Sequence, residues 1–413
     1  MSLLKTFGDL KGTIKIKPQR YIIDNWVFKL HYKATVIFFL VGSILVTSRQ
    51  YIGEHIRCIS DKGVPDHVMN TFCFFTTTFT VPYVNISKDR LEQMFEIKAM
   101  DANLLDTGNL AHPGVGPYGI DSNEPVIHHA YYQWVPFVLF FQGLMFYLTH
   151  LLWKKLEGGR LRYLVDSLRY SAFSLQEKEI KVGSNNIPSK STREQKINQV
   201  RQLFIDGMYI NKYWAVKLMI CEILNLLHVV LQFYITDKFL GGRFNNLGST
   251  VWAQGLDSSV DVLDEVFPKI TKCTFHKYGP SGSIQYHDAM CVMALNIIND
   301  KIYTGLWFWF IFLFVCSILG LIWRVITIIF HSRSTGFNRL VFSNSCPGKQ
   351  NPWNALNVSY YYSYTDWLFL VYLAKNIDSL VFKEILLGIA EDLEQKKSMK
   401  QPLLQAEELD KYT

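Results

Sequence analysis

Residues Leu306–Trp323 read LWFWFIFLFVCSILGLIW, eighteen residues without a charge. After Arg324 the apolar run resumes as VITIIF and ends at Phe330. An α-helix rises 1.5 Å per residue, so roughly twenty apolar residues cross a hydrocarbon core. A helix buried in a water-soluble core seldom stays uncharged for this long, so the stretch reads as a membrane span. Overall composition agrees. Apolar residues make up 49% of the 413 and charged residues only 19%, and the apolar ones are gathered into blocks.

Three more blocks follow the same logic. Trp134–Trp153 is broken only by Gln142, Thr149 and His150, and a tryptophan stands at each end, as in interfacial aromatic belts. Ala34–Thr47, ATVIFFLVGSILVT, is short; Val27, Phe28, Leu30 and Tyr32 extend it, with Lys29, His31 and Lys33 able to reach toward headgroups. Trp214–Ile235 is the most polar. Its Lys217, Cys221, Asn225, His228 and Gln232 recur every three or four residues and form one stripe, while Leu, Ile and Val fill the other faces. In lipid such a stripe must face protein or water.

Four spans leave five polar segments, and their charges differ. Residues 1–33 carry seven Lys/Arg against two acids, and residues 154–213 carry twelve against six. Residues 48–132 carry six against ten, and residues 236–305 six against seven. The positive-inside rule then places the first and middle segments, and with them both termini, in the cytoplasm. Cysteines give a second reading of the same topology. Cys58 and Cys73 fall in one outer segment, Cys273 and Cys291 in the other. Paired thiols on the oxidising side point to two disulfides, and spacing alone leaves all three connectivities open. The sequon Asn85-Ile86-Ser87 lies on the same side, making Asn85 a candidate glycosylation site.

Other segments are less regular. MSLLKTFGDLKG lacks the long apolar core and cleavage site of a signal peptide, but Leu3, Leu4, Phe7 and Leu10 give it an amphipathic face. Thr71–Val81 suits a strand or a buried helix. Helices are predicted over Thr192–Met208 and Trp367–Leu393, and the charged end after about residue 394 reads as disordered. No phosphate-binding glycine loop, metal motif or nucleophile–base set is present, and His128-His129 reads as a solvated loop end. The sequence therefore predicts neither enzyme nor cofactor, and the basic segments flank membrane, so they require no nucleic acid.

Tyr131–Phe137 reads YYQWVPF: Tyr131, Tyr132, Gln133, Trp134, Val135, Pro136, Phe137. This resembles the signature at the start of the second span of innexins, the invertebrate gap-junction proteins related to pannexins. LKGTIKIK, LHYKATVIFFLVGSILVTSRQYIGEHIRC and PDHVMNTFCFFTTTFTV are similar to the same family, as is the pattern of two cysteines per outer loop. By position, the aromatic rings suit the outer interface, and Pro136 suits the first turn of a helix; a hinge at Pro136 is the alternative.

The resemblance implies an all-α polytopic membrane protein with spans at 26–48, 133–153, 214–235 and 306–330. Residues 1–25 would form a cytoplasmic pore funnel, and 154–213 and 331–413 a helical cytoplasmic domain. Residues 49–132 and 236–305 would form disulfide-clamped extracellular loops with some β-structure. It implies the pairs Cys58–Cys291 and Cys73–Cys273, and a homo- or hetero-oligomeric ring of subunits, an octamer, docking with a ring of the neighbouring cell at the plasma membrane. Ser2, Lys5 and Asp9 become candidate pore-lining residues, with Arg49, Glu54 and Arg57 at the outer mouth. Two alternatives remain: an undocked hemichannel releasing metabolites such as ATP, and a non-conducting four-span adhesion protein.

Overall fold

The computed structural model describes residues 21–52, 55–60, 63–80, 126–168, 190–207, 213–254, 262–345 and 363–410. Ser2, Lys5, Asp9, Glu54 and Asn85 lie outside these residues. Among the described residues four helices are long and apolar enough to cross a membrane. The first is composite: α1 (Trp26–Lys29), a π-helical turn over Leu30–Thr35, and α2 (Val36–Ile52). The others are α4 (Val135–Glu157), α7 (Trp214–Phe239) and α10 (Ala294–Phe330). The chain divides into two compact units, and the division falls within these four helices.

One unit comprises Lys29–Thr149 and Leu224–Ile318. Its helical part is held by stacked and edge-on aromatic rings. Phe39, Phe146 and Phe310, one from each of three helices, lie with centroids 5.6–6.2 Å apart, and Phe233 reaches Phe310 from the fourth at 6.2 Å. Close approach needs small residues. A Cβ on Gly143 would lie 3.1 Å from that of Phe39. The π turn carries one extra residue and bonds Thr35 Oγ1 to the Leu30 carbonyl at 3.0 Å. It turns His31 inward, where the imidazole meets Ser317 Oγ at 2.9 Å. His31 is therefore a bundle residue and not one reaching for headgroups, because a buried imidazole with a hydroxyl partner is stable there and an unpartnered one is not.

The polar stripe of α7 faces protein. Cys221, Asn225 and Gln232 are buried, while Ile220, Ile223, Leu227 and Leu231 are exposed. Gln142 Nε2 donates to Thr236 Oγ1 at 2.9 Å, one turn further along that face. This inverts the pattern of a soluble helix, as an apolar solvent demands.

The same unit carries one five-stranded sheet. The strands are β1 (Arg57–Ser60), β2 (Thr78–Thr80), β3 (Ile127–His129), β4 (Ile270–Tyr278) and β5 (Ile284–Val292), in the order β1-β5-β4-β2-β3. All pairings are antiparallel. Helix α3 (Asp66–Phe75) packs beside it, so Thr71–Val81 supplies both a helix end and a strand. The β4–β5 hairpin turns through Gly279–Ser283, where Gly282 takes the left-handed φ of 79°. Helix α10 starts at Ala294, twelve residues before the expected span. Its polar first turns are anchored in this unit by Asn296 Nδ2 donating to the Pro268 carbonyl at 2.7 Å. At 37 residues it is about 55 Å long, well beyond the roughly 30 Å of a hydrocarbon core. Helices α8 (Phe244–Gln254) and α9 (Val262–Val266) complete the unit.

The other unit comprises the described residues up to Phe28, His150–Ile223 and Leu319 onward. Besides the remaining ends of the long helices it contains α5 (Arg160–Leu168), α6 (Lys190–Gly207), α11 (Thr335–Ser345), α12 (Tyr364–Ala374) and α13 (Ser379–Asp410). Two sequence expectations fail here. The apolar rhythm over Trp367–Leu393 is two helices. Ser363 caps α12 by accepting from the Asp366 N–H, and the polar Lys375–Asp378 stretch separates it from α13. The end after residue 394 is helical to Asp410, since its Glu, Gln, Lys and Met are good helix formers even where charge argues for disorder. Arg193 pairs with Glu384, and Arg201 with Asp392 at 2.7 Å, joining α6 to α13.

Gly248 tests the packing. A Cβ there would lie 2.0 Å from Cε3 of Trp307, whose indole N–H donates to the Asn245 carbonyl at 3.1 Å. Gly248→Ala must displace the ring and is expected to cost about 1–3 kcal/mol. A lowered melting temperature of the purified protein checks this; an unchanged one shows that Trp307 is not held there.

Candidate functional site

The cysteines define the first candidate region. Cys58 and Cys291 face each other in the β1–β5 register and are bonded. Cys73, in α3, is bonded to Cys273 on β4. All four are buried. The sulfurs of Cys58, Cys73 and Cys291 lie within 4.8 Å of one another, but each belongs to a disulfide and none is free to hold a metal. The bonds close loops of 233 and 200 residues. By the chain-entropy model the first contributes on the order of 5 kcal/mol. Once it is closed, the second spans only 15 residues on one side and 18 on the other, and adds about 4 kcal/mol.

The YYQWVPF motif forms the joint between this sheet and α4. Tyr131–Gln133 is a single 3-10 turn, and α4 starts at Val135. Pro136 therefore sits in the first helical turn, where a missing N–H is harmless. Its carbonyl accepts from Ser43 Oγ at 2.9 Å. The interfacial reading of the aromatic rings is corrected for the two tyrosines. Tyr132 is fully buried, and its hydroxyl lies 3.3 Å from the Cys73 carbonyl. Tyr131 packs edge-on against Phe267 and Phe239 and donates to the Val266 carbonyl at 3.3 Å. Burial pushes its phenol well above the usual range, so it stays a donor. Gln133 Nε2 donates to the Phe74 carbonyl at 2.6 Å. These bonds satisfy the C-terminal carbonyls of α3, which a helix end leaves without partners. Trp134, 61% exposed, keeps a position suited to an interface, as does the exposed Phe137.

His128 and His129 are likewise not a loose loop end. Both lie in β3, and His129 is buried with its Nε2 2.8 Å from Thr80 Oγ1. Burial, aided by Arg243 and His128, lowers its pKa to about 4. Of the outer-mouth candidates, Arg49 is exposed in the last turn of α2 and Arg57 is exposed at the start of β1. Arg57 directly precedes the bridged Cys58 on β1 and stands opposite Val292 of β5.

A second region lies where the chain enters its first long helix, and the sequence reading missed it. Glu222 and Arg324 are a buried ion pair, with Arg324 Nε 2.9 Å from Oε2 and Nη2 on Oε1. Arg324 Nη1 also donates to the Tyr364 hydroxyl at 3.3 Å. Asn25 Nδ2 donates to Glu222 at 2.7 Å, while its Oδ1 accepts the Phe28 N–H at 2.7 Å and so caps the helix. The residues before it are held one by one. The Asn376 amide accepts from Ile22 N–H at 2.5 Å and donates to the Ile22 carbonyl at 2.8 Å. Trp153 Nε1 donates to the Ile23 carbonyl at 3.0 Å, and Asp24 lies 3.7 Å from His150. The available signal was the charge itself: a carboxylate and a guanidinium inside two apolar blocks require each other.

The family model named Innexin matches residues 24–393. The chain is 43% identical over 397 residues to innexin inx7 of Drosophila melanogaster, covering 94% of this chain and 85% of that one. It is 39% identical over 399 residues to innexin inx2 of Schistocerca americana, covering 96% and 99%. It is 31% identical over 413 residues to innexin shaking-B of Drosophila melanogaster, covering 98% and 99%.

Two outcomes check these regions. Glu222→Gln leaves the guanidinium buried without a counter-charge and is expected to cost about 3–5 kcal/mol, while Glu222→Leu with Arg324→Met restores most of the loss. Melting of the purified variants decides; equal loss in the double variant would refute mutual dependence. His129 is neutral when folded and takes up a proton near pH 6.5 when unfolded. Stability is therefore full above pH 6.5 and falls as the pH drops toward 4, because the unfolded chain then binds more protons. Melting temperature followed from pH 7.5 to 4.5 is expected to fall less in His129→Gln; identical profiles would exclude this imidazole.

Proposed function

The chain belongs to the innexin family, and on that premise we propose that it works as a gap-junction subunit: rings of this chain dock between adjacent cells and pass ions and small metabolites. Innexins are channel-forming gap-junction proteins of the membrane and not enzymes. The octameric ring, the docking and the orientation, with both termini in the cytoplasm, are our reading.

The observation that carries it is the doubly bridged sheet. Docking between cells needs an exposed surface that keeps its shape, since a stiff surface loses less entropy on association. Two disulfides and five paired strands give the sheet that stiffness. We assign 49–132 and 236–305 to the outer face, where oxidising conditions preserve such bonds. Residues 154–213 and 331–413 then form the cytoplasmic domain, with spans at 26–48, 133–153, 214–235 and 306–330. Residues 1–25 form the funnel, with Ser2, Lys5 and Asp9 toward the pore. The tethering of Ile22–Asn25 supports this, because a funnel needs a fixed base. The apolar, exposed outer faces of the long helices suit both lipid and neighbouring subunits.

Paired cells expressing the chain are expected to exchange a small fluorescent dye, and Cys58→Ser or Cys73→Ser to abolish the exchange while the protein still reaches the surface. Dye uptake by single cells without exchange between pairs would refute docking in favour of an undocked hemichannel. Neither uptake nor exchange would refute the channel itself.

A further inference from the structure

Between α7 and α10, in the sheet-bearing unit, runs a groove of about 430 Å³. Val230 and Phe233 line one wall; Phe310, Ile311 and Phe314 line the other. Val229, Phe233 and Asp237 recur once per turn of α7, so the groove is about 12 Å long. Asp237 and Asn245 close one end. Asp237 is the single charged side chain among the described lining residues. Its Oδ1 accepts the Asn245 N–H at 2.9 Å, and its Oδ2 has no hydrogen bond among the described residues. Lys238, next in the chain, lies over the Tyr234 ring at 5.6 Å and is not in the lining.

We propose that this groove binds a membrane sterol, with the sterol hydroxyl donating to Asp237. The groove is apolar along its length and polar at one end, so it fits a ligand with one small hydrogen-bond donor on an apolar body. Phe233, Phe310 and Phe314 make the lining strongly apolar and aromatic, and a rigid sterol nucleus loses little freedom on binding there. A phospholipid fits less well, because its phosphate would meet the Asp237 carboxylate as a like charge. A side chain from a second copy could fill the apolar part, but it would leave the Asp237 oxygen to find another donor. The proposal does not depend on docking or on ring size.

The full-length protein, reconstituted in phosphatidylcholine nanodiscs with a diazirine-bearing cholesterol, is expected to be labelled within Val229–Asp237 and Phe310–Phe314. Unlabelled cholesterol should reduce the labelling about tenfold, and its 3α-hydroxy epimer should not, because one hydrogen bond is worth about that factor. Val230→Trp fills the groove from an exposed position and should remove the label while the elution profile stays unchanged. Asp237→Ala should remove the preference between the two epimers. Equal competition by both epimers in the unaltered protein, or labelling that survives Val230→Trp, would overturn the proposal. So would suppression by added phosphatidylcholine, which would assign the groove to an acyl chain. Disulfide cross-linking of neighbouring copies through Ile311→Cys, undiminished by cholesterol, would assign it to a second copy and overturn it as well.

Discussion

The structure depends on a covalent constraint between distant parts of the chain. The strand order β1-β5-β4-β2-β3 interleaves residues from before α4 with residues from after α7. No segment could build this sheet alone: β1 has four residues, and β2 and β3 three each. Strands so short are marginal in water unless something else fixes them. The Cys58–Cys291 and Cys73–Cys273 bonds do so, one joining β1 to β5 and the other α3 to β4. The YYQWVPF motif then ties the end of α3 to the start of α4 through Tyr132 and Gln133. Membrane-crossing helices and crosslinked sheet therefore position each other.

The unit that contains the N-terminal described residues follows a different physical rule. Charges buried beside apolar helices are costly unless matched, and here a carboxylate and a guanidinium match each other. Arg324 satisfies Glu222 and Tyr364, and Glu222 in turn accepts from Asn25. Asn25 thus performs two tasks with one side chain, capping α1 and completing the ion pair. Asn376 does something similar for Ile22, offering its carbonyl and its amide to the two backbone groups of one residue. Neither contact stores much energy by itself. Together they fix a short unpaired stretch that would otherwise be free to move.

What the sequence made legible follows from which physics is local. The four long helices were legible because lipid imposes a composition that no folded context can disguise. The α7 stripe was legible because its period is that of a helix, and its burial follows from the solvent. The burial of Tyr131 and Tyr132 was not, because an aromatic residue near a span end suits an interface and a joint equally well. The choice depends on Phe74, Val266 and Phe267, all distant in sequence. The pairing of Glu222 with Arg324 spans 102 residues, and only its necessity, not its geometry, could be read beforehand. The early start of α10 was hidden because Asn296, Asn299 and Asp300 look like loop residues until the fold buries them.

The nested sulfur pattern also sets a timetable for biosynthesis. A ribosome delivers Cys58 and Cys73 long before Cys273, the native partner of the latter, exists. At typical elongation rates of 5–20 residues per second the 200-residue gap corresponds to roughly 10–40 s. For most of that delay, until Cys221 follows, the two early thiols have only each other as intramolecular partners, a premature bridge within one nascent segment. Correct maturation thus requires either that they stay reduced until the last crossing is made or that an exchange catalyst later reopens the wrong bond.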